Sequence, residues 1–217
     1  SGAEIVSAGV RDIVLQRVGR LTEVAQRLLS LASVVGWRFT VALLKQAAGR
    51  DVGSVSGSVD EWLSRRLVRT RAMTSAGERS TVPRYDFTHD KIRAVLYDTV
   101  GRTKRRKLHR QVAEAFERQD DLGAEDRDQV LARHWDRADE PARAVPYHVR
   151  AGDQARLAYA HREAIEHYNQ AVEALRDQGE HGRAAQALMK LGLTYHSAFN
   201  FREARRAYDE AFALRQM

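Results

Sequence analysis

Asp86, Thr88, His89 and Asp90 set two carboxylates, a hydroxyl and an imidazole within five residues. Those are the ingredients of a metal site or an acid–base pair. The same residues suit a strand-to-helix junction. There Asp86 or Thr88 holds free backbone N–H groups, and Asp90 is favourable in a first helical turn. The junction is the preferred reading. The other histidines are His109, His134, His148, His161, His167, His181 and His196. His161 and His167 are six apart and do not share a helical face. His134 and His148 fall on successive helices beside aromatic residues, as packing histidines do. The chain has no Gly-x-x-x-x-Gly-Lys-Ser/Thr loop for nucleotide phosphates and no His-Glu-x-x-His for zinc. It has no cysteine for a thiolate ligand or a disulfide, which is compatible with the cytoplasm. The expectation is no catalytic residue, no metal and no cofactor in these residues.

The chain of 217 residues is rich in helix formers, holds only 3 prolines, and is expected to be mostly α. No apolar run is long enough to cross a bilayer. Charge divides it. Residues 1–118 carry 22 Lys and Arg against 12 Asp and Glu, and residues 119–217 carry 14 against 17. That change of sign, with the polar stretch from Gln119 to Arg127, places a domain boundary at 118/119.

In the first part, Val10, Ile13, Val14 and Val18 have helical spacing. Thr22 caps a helix with Val24, Leu28, Leu31 and Val35 on one side. Thr40 caps the next, with Phe39 folding back on Leu44 and Gly49 taking a left-handed turn at its end. Ser58 and Glu61 form a capping box for a helix that buries Trp62, Leu63 and Leu67. Leu67 to Met73 and Arg84 to Thr88 read as two strands around a polar loop from Thr74 to Pro83. Three helices and a two-stranded wing make a winged helix-turn-helix. Helices from His89 to Val100 and from Thr103 to Arg118 follow. The start of the last is basic, with Arg102, Lys104, Arg105, Arg106, Lys107 and Arg110, and cations there oppose the helix dipole.

In the second part, Gly152, Ala164, Tyr168 and Ala171 recur 40 residues later as Gly192, Ala204, Tyr208 and Ala211. Small residues let two helices approach closely, and a tyrosine fills the gap to the next pair. This is the tetratricopeptide device, whose usual period is 34. A period of 40 requires longer helices or looser turns. Turns are expected at Ala158–Ala160 and Gly179–Gly182. The whole is expected to be a winged helix-turn-helix over residues 1–118, followed by a tetratricopeptide-like α-solenoid over 119–217. The absence of a polar cap after the last repeat helix suggests that the natural protein continues.

Three runs carry a resemblance. The first is Val10-Arg11-Asp12-Ile13-Val14-Leu15-Gln16-Arg17-Val18 with Leu21-Thr22 and Ala32-Ser33-Val34-Val35-Gly36. The second is Tyr85-Asp86-Phe87-Thr88-His89-Asp90-Lys91-Ile92-Arg93, and the third is Tyr159-Ala160-His161-Arg162-Glu163-Ala164. Together with Arg106 to Ala113 they resemble the region after the ATPase core of bacterial signal-transduction ATPases with numerous domains. The similarity extends to maltose-activator-like and antibiotic-regulator-like regulators and to cyclase- or kinase-linked relatives. The resemblance implies a non-catalytic regulatory arm. A winged helix would restrain an ATPase core upstream in the same chain, and the repeats would receive a protein or small-molecule inducer. Within it, His89 is the nearest counterpart of a phosphate-reaching histidine. Arg102, Lys104, Arg105, Arg106, Lys107 and Arg110 are candidate interdomain contacts. The rival reading is a direct DNA-binding module. It is weakened by Asp60 and Glu61 at the start of the third helix, and Arg69, Arg71, Arg79 and Arg84 on the wing support only weak, charge-driven binding. A third reading, an enzyme, requires a concave cluster of histidines and carboxylates.

Overall fold

The computed structural model describes residues 8–49, 55–71, 83–118 and 124–216. They form two compact units, within residues 1–119 and 120–217. The described residues are mostly helical, with one small antiparallel sheet.

The first unit runs α1 (Ala8–Val18), α2 (Glu23–Val35), β1 (Arg38–Thr40), α3 (Val41–Ala48), α4 (Val55–Ser64), β2 (Val68–Arg71), β3 (Arg84–Phe87), α5 (Asp90–Thr99) and α6 (Arg102–Arg118). Its sheet has three strands in the order β1-β3-β2, not two. Arg38 pairs with Asp86 and Val68 with Phe87. A three-residue strand carries no readable alternation, so β1 could be seen only once β3 lay beside it. The inner face presents Phe39, whose ring meets Trp62, Tyr85 and Phe87 at centroid distances of 6.1, 6.0 and 5.7 Å. Trp62 is fully buried, and its Nε1–H donates to the Ala25 carbonyl at 3.1 Å, tying α4 to α2. Leu63, expected to be buried, is only half-buried, and Ile13 is exposed. The expected loop from Thr74 lies, up to residue 82, outside the described residues.

The caps differ instructively from expectation. Thr22 and Thr40 do cap α2 and α3, accepting from Ala25 N–H at 3.3 Å and Leu43 N–H at 3.1 Å. Gly49 has a positive φ of 75°, but its ψ of −169° is extended, not left-handed helical. Ser58 caps nothing, because α4 already begins at Val55 and Ser58 is buried within it. Glu61 instead serves a different helix. Its carboxylate accepts from the Thr22 N–H at 3.0 Å and the Thr22 hydroxyl at 2.9 Å. The capping box of α2 is thus closed from α4. Removing it in Glu61→Ala is expected to cost about 1 kcal/mol, read as a lower urea midpoint with an unchanged slope.

The second unit is a run of antiparallel helices: α7 (Ala124–Arg137), α8 (Pro141–Leu157), α9 (His161–Asp177), α10 (His181–Ser197) and α11 (Phe201–Arg215). The period of 40 arises from helix length, since α8, α9 and α10 each have 17 residues and the turns between them are tight. Asp139, Tyr159, Gly179 and Phe199 each have a φ between 58° and 70°. The following residue closes the turn. Glu140, Ala160, Glu180 and Asn200 donate to the carbonyls of Trp135, Ala155, Leu175 and Tyr195 at 2.8–3.1 Å. These are Schellman ends, which favour glycine at the left-handed position. Only one of the four has it. Tyr159 and Phe199 therefore hold a conformation costing about 1 kcal/mol each. The turn expected at Gly179–Gly182 ends at Glu180, and Gly182 is already helical.

Candidate functional site

The repeats are built around two glycine–tyrosine contacts. Gly152 on α8 is buried against the ring of Tyr168 on α9, and a Cβ at Gly152 would lie 2.8 Å from Tyr168 Cε1. Gly192 on α10 meets Tyr208 on α11 in the same way and more closely. Ala164, Ala171, Ala204 and Ala211 are all buried. Tyr168 is fully buried, and its hydroxyl donates to Asp153 Oδ1 at 2.7 Å. Burial first, then that bond to a carboxylate, pushes the phenol well above its ordinary range, so it stays a donor. Lys190 on α10 donates to both oxygens of Asp153, at 2.8 and 2.6 Å. One carboxylate therefore ties together α8, α9 and α10.

Beside this core three helices bring together Asp136 of α7, His148 of α8 and His167 of α9. His148 Nε2 lies 3.0 Å from Asp136 Oδ2, and the Nδ1 atoms of His148 and His167 are 3.0 Å apart. His148 is 5% exposed. The carboxylate can only accept, so His148 Nε2 carries a proton. In neutral His148, Nδ1 is then the acceptor for His167 Nδ1–H. That order leaves His167 Nε2 as an acceptor. Asp136, His148 and His167 line a cavity of about 360 Å³ with Gln129, Val130, Arg133 and Arg137. The arrangement can bind or hand on a proton. Among the described residues, no group of three His, Cys, Asp or Glu side chains is placed to hold a metal ion.

Burial, then the nearby His148, hold the His167 imidazole below its ordinary value. Folding therefore favours the neutral ring, and the unfolded chain binds more protons as pH falls through the ordinary histidine range. Stability is fully present above that range and declines as pH drops toward the folded-state value. The urea midpoint of the second unit's transition is expected to fall between about pH 7.5 and about pH 5.5, with a shallower fall in His167→Gln.

Sequence spacing alone hid this trio. The nearest signal was the glycine–tyrosine register: His148 is one turn before Gly152, and His167 adjoins Tyr168, so the contact that joins α8 to α9 also brings the two rings together.

In the first unit, the Asp86–Asp90 segment does not converge. Asp86 points to the sheet's outer face, the Thr88 hydroxyl donates to the Arg66 carbonyl at 2.8 Å, and exposed His89 occupies the N-cap position of α5 without a capping bond. Neither Asp86 nor Thr88 holds a backbone N–H as expected. Around Asp86, which is 1% exposed, the outer face carries Arg38, Arg69, Arg71 and Arg84. Arg71 lies 3.4 Å and Arg38 3.9 Å from the carboxylate. Of the basic residues that open α6, Arg102, Lys104, Lys107 and Arg110 are exposed, while Arg105 and Arg106 are half-buried. Arg105 turns back, donating to the Val100 carbonyl at 3.0 Å with its guanidinium 4.3 Å from the Tyr97 ring centre. It thereby satisfies the end of α5, which compensates for its place at the unfavourable end of α6.

Residues 141–217 match the tetratricopeptide repeat family. The chain is also 30% identical, over 212 residues covering 92% of its length, to an uncharacterized protein of Rhizobium meliloti (strain 1021). It spans 19% of the length of that relative. No helix among the described residues is long and apolar enough to cross a membrane.

Proposed function

We propose that this chain is a non-catalytic regulatory arm of a larger ATP-dependent signalling or transcriptional switch. In this reading the first unit is a winged helix that restrains an ATPase core elsewhere in the protein, and the repeats bind a protein partner or inducer. The observation that carries it is the joining of a small helical unit with a three-stranded sheet to a repeat stack matching a protein-binding family. The small share of its long relative that the chain spans supports a part within a larger machine. The resemblance noted from the sequence supplies the ATPase and its inhibition. In the longer protein, deleting the segment equivalent to residues 1–217 is expected to raise basal nucleotide turnover. Charge reversal of Arg102, Lys104 and Lys107 should do so partially. Unchanged turnover in both variants removes the proposal.

One observation favours a second reading, DNA binding. Four arginines share the outer face of the sheet, and Arg71 stands directly across from Arg84. Like charges opposed on neighbouring strands are destabilising; the single carboxylate of Asp86 offsets part of that, and a further anion would offset the rest. Titration against duplex DNA separates the readings. Binding that survives physiological salt supports DNA recognition, and binding lost with salt reflects charge alone.

A further inference from the structure

Of the three left-handed turn residues in the second unit that are not glycine, the two aromatic ones, Tyr159 and Phe199, share one edge of the repeat stack. Successive helices alternate in direction, so the α8–α9 and α10–α11 turns lie on one edge and the α7–α8 and α9–α10 turns on the other. Tyr159 and Phe199 occupy the same position of the first pair of turns, 82% and 81% exposed. Neither ring is buried by the strain it imposes. Leu157 and Phe201 beside them are also exposed, at 71% and 58%. The exposure of Tyr159 is not an end effect, because the next hairpin is in place. At the equivalent positions of the opposite edge stand Asp139 and Gly179, and none of the exposed large apolar residues described lies there.

Charge separates along the same line. Residues 156–162 and 196–202 contain Arg156, Arg162 and Arg202 and no Asp or Glu. Residues 136–140 and 176–180 contain five carboxylates against two arginines. Of these cations Arg156 is engaged with the Tyr168 hydroxyl, while Arg162 and Arg202 are available for exchange. Arg162 and Arg202 meet Glu166 and Glu203 only in solvent-exposed pairs, at 3.2 and 3.1 Å, and such pairs are weak. Strain kept in exposed aromatic residues, repeated at the period of the fold and bordered by cations, marks a surface selected for contact.

We propose that the edge carrying Tyr159 and Phe199 is a docking strip for an acidic protein segment with apolar side chains interspersed among its carboxylates. The aromatic rings take the apolar side chains, and Arg162 and Arg202 take the carboxylates. A second copy of this chain fits less well, because its acidic turns at 136–140 and 176–180 carry no exposed large apolar residue among those described. The proposal rests on reading the repeats as a protein-binding arm, but its test does not involve nucleotide turnover and so fails separately.

The test uses the 217-residue chain and three fluorescent dodecapeptides at physiological salt. In one, Glu alternates with Leu and Phe. The second has Lys for Glu, and the third has Ala for Leu and Phe. Anisotropy is expected to show the first binding at least about tenfold more tightly than the others. Tyr159→Gly with Phe199→Gly should weaken it by about tenfold or more while leaving Tm unchanged or higher, since glycine suits both turns. Arg162→Glu with Arg202→Glu should weaken it similarly. Equal binding of the three peptides, or undiminished binding by the glycine variant, overturns the proposal. So does a lowered Tm in that variant, which would make the rings structural. Concentration-dependent self-association abolished by the glycine variant would assign the strip to a second copy and overturn it too.

Discussion

Gly152→Val is expected to destabilise the repeat unit by about 3 kcal/mol, the upper part of the range for overpacking a filled core. A single added carbon already lies 2.8 Å from Tyr168 Cε1, and valine adds two more. The ring cannot move aside, because Tyr168 is fully buried and its hydroxyl is held by Asp153, itself held by Lys190. The helices must separate instead. Each repeat is stabilised chiefly by its neighbours, so the loss spreads from α8–α9 to the α9–α10 contact. Urea unfolding followed by circular dichroism measures it. Pairing Gly152→Val with Tyr168→Leu should recover part of the loss, and the double-mutant cycle isolates the contact. An unchanged midpoint in Gly152→Val would show that the two helices do not depend on this approach.

The second large effect belongs to the other unit. Trp62→Ala is expected to cost about 3–5 kcal/mol, as large aromatic truncations in a core do. It empties the space between α4, α2 and the sheet, where Phe39 lies edge-on to the indole, and it deletes the donor to Ala25. Trp62→Phe keeps much of the volume and loses the N–H, so a smaller loss of about 1 kcal/mol is expected. The two substitutions together separate packing from hydrogen bonding. A Trp62→Ala chain that unfolds at the wild-type midpoint would contradict the placement of Trp62 at the centre of the first unit.

Local signals were legible where the chemistry is local. Thr22 and Thr40 cap the helices that begin after them because a cap needs only a hydroxyl three residues from an N–H. The same rule misassigned Glu61. Its carboxylate is three residues from Ser58, but α4 had already begun at Val55, and the donor it accepts from is Thr22, the cap of another helix. The basic opening of α6 appeared unfavourable for a related reason. The dipole argument considers one helix, whereas Arg105 acts on the end of the helix before it.

The repeat was legible because 40-residue spacing and residue size survive in one dimension, and the match to the tetratricopeptide family covers residues 141–217. Its cause was not. Whether long helices or loose turns lengthened the period depended on Schellman ends that place tyrosine and phenylalanine where glycine is favoured.

The amino-acid order alone determined the helical character, the caps at Thr22 and Thr40, and the two sets of small and aromatic residues, since each depends on neighbours within a few turns of chain. Only the tertiary structure decided that β1 joins the sheet, that Glu61 crosses to α2, and that Asp136, His148 and His167 meet. Those outcomes depend on which distant surfaces come within hydrogen-bonding distance, and that is settled by how helices and strands pack.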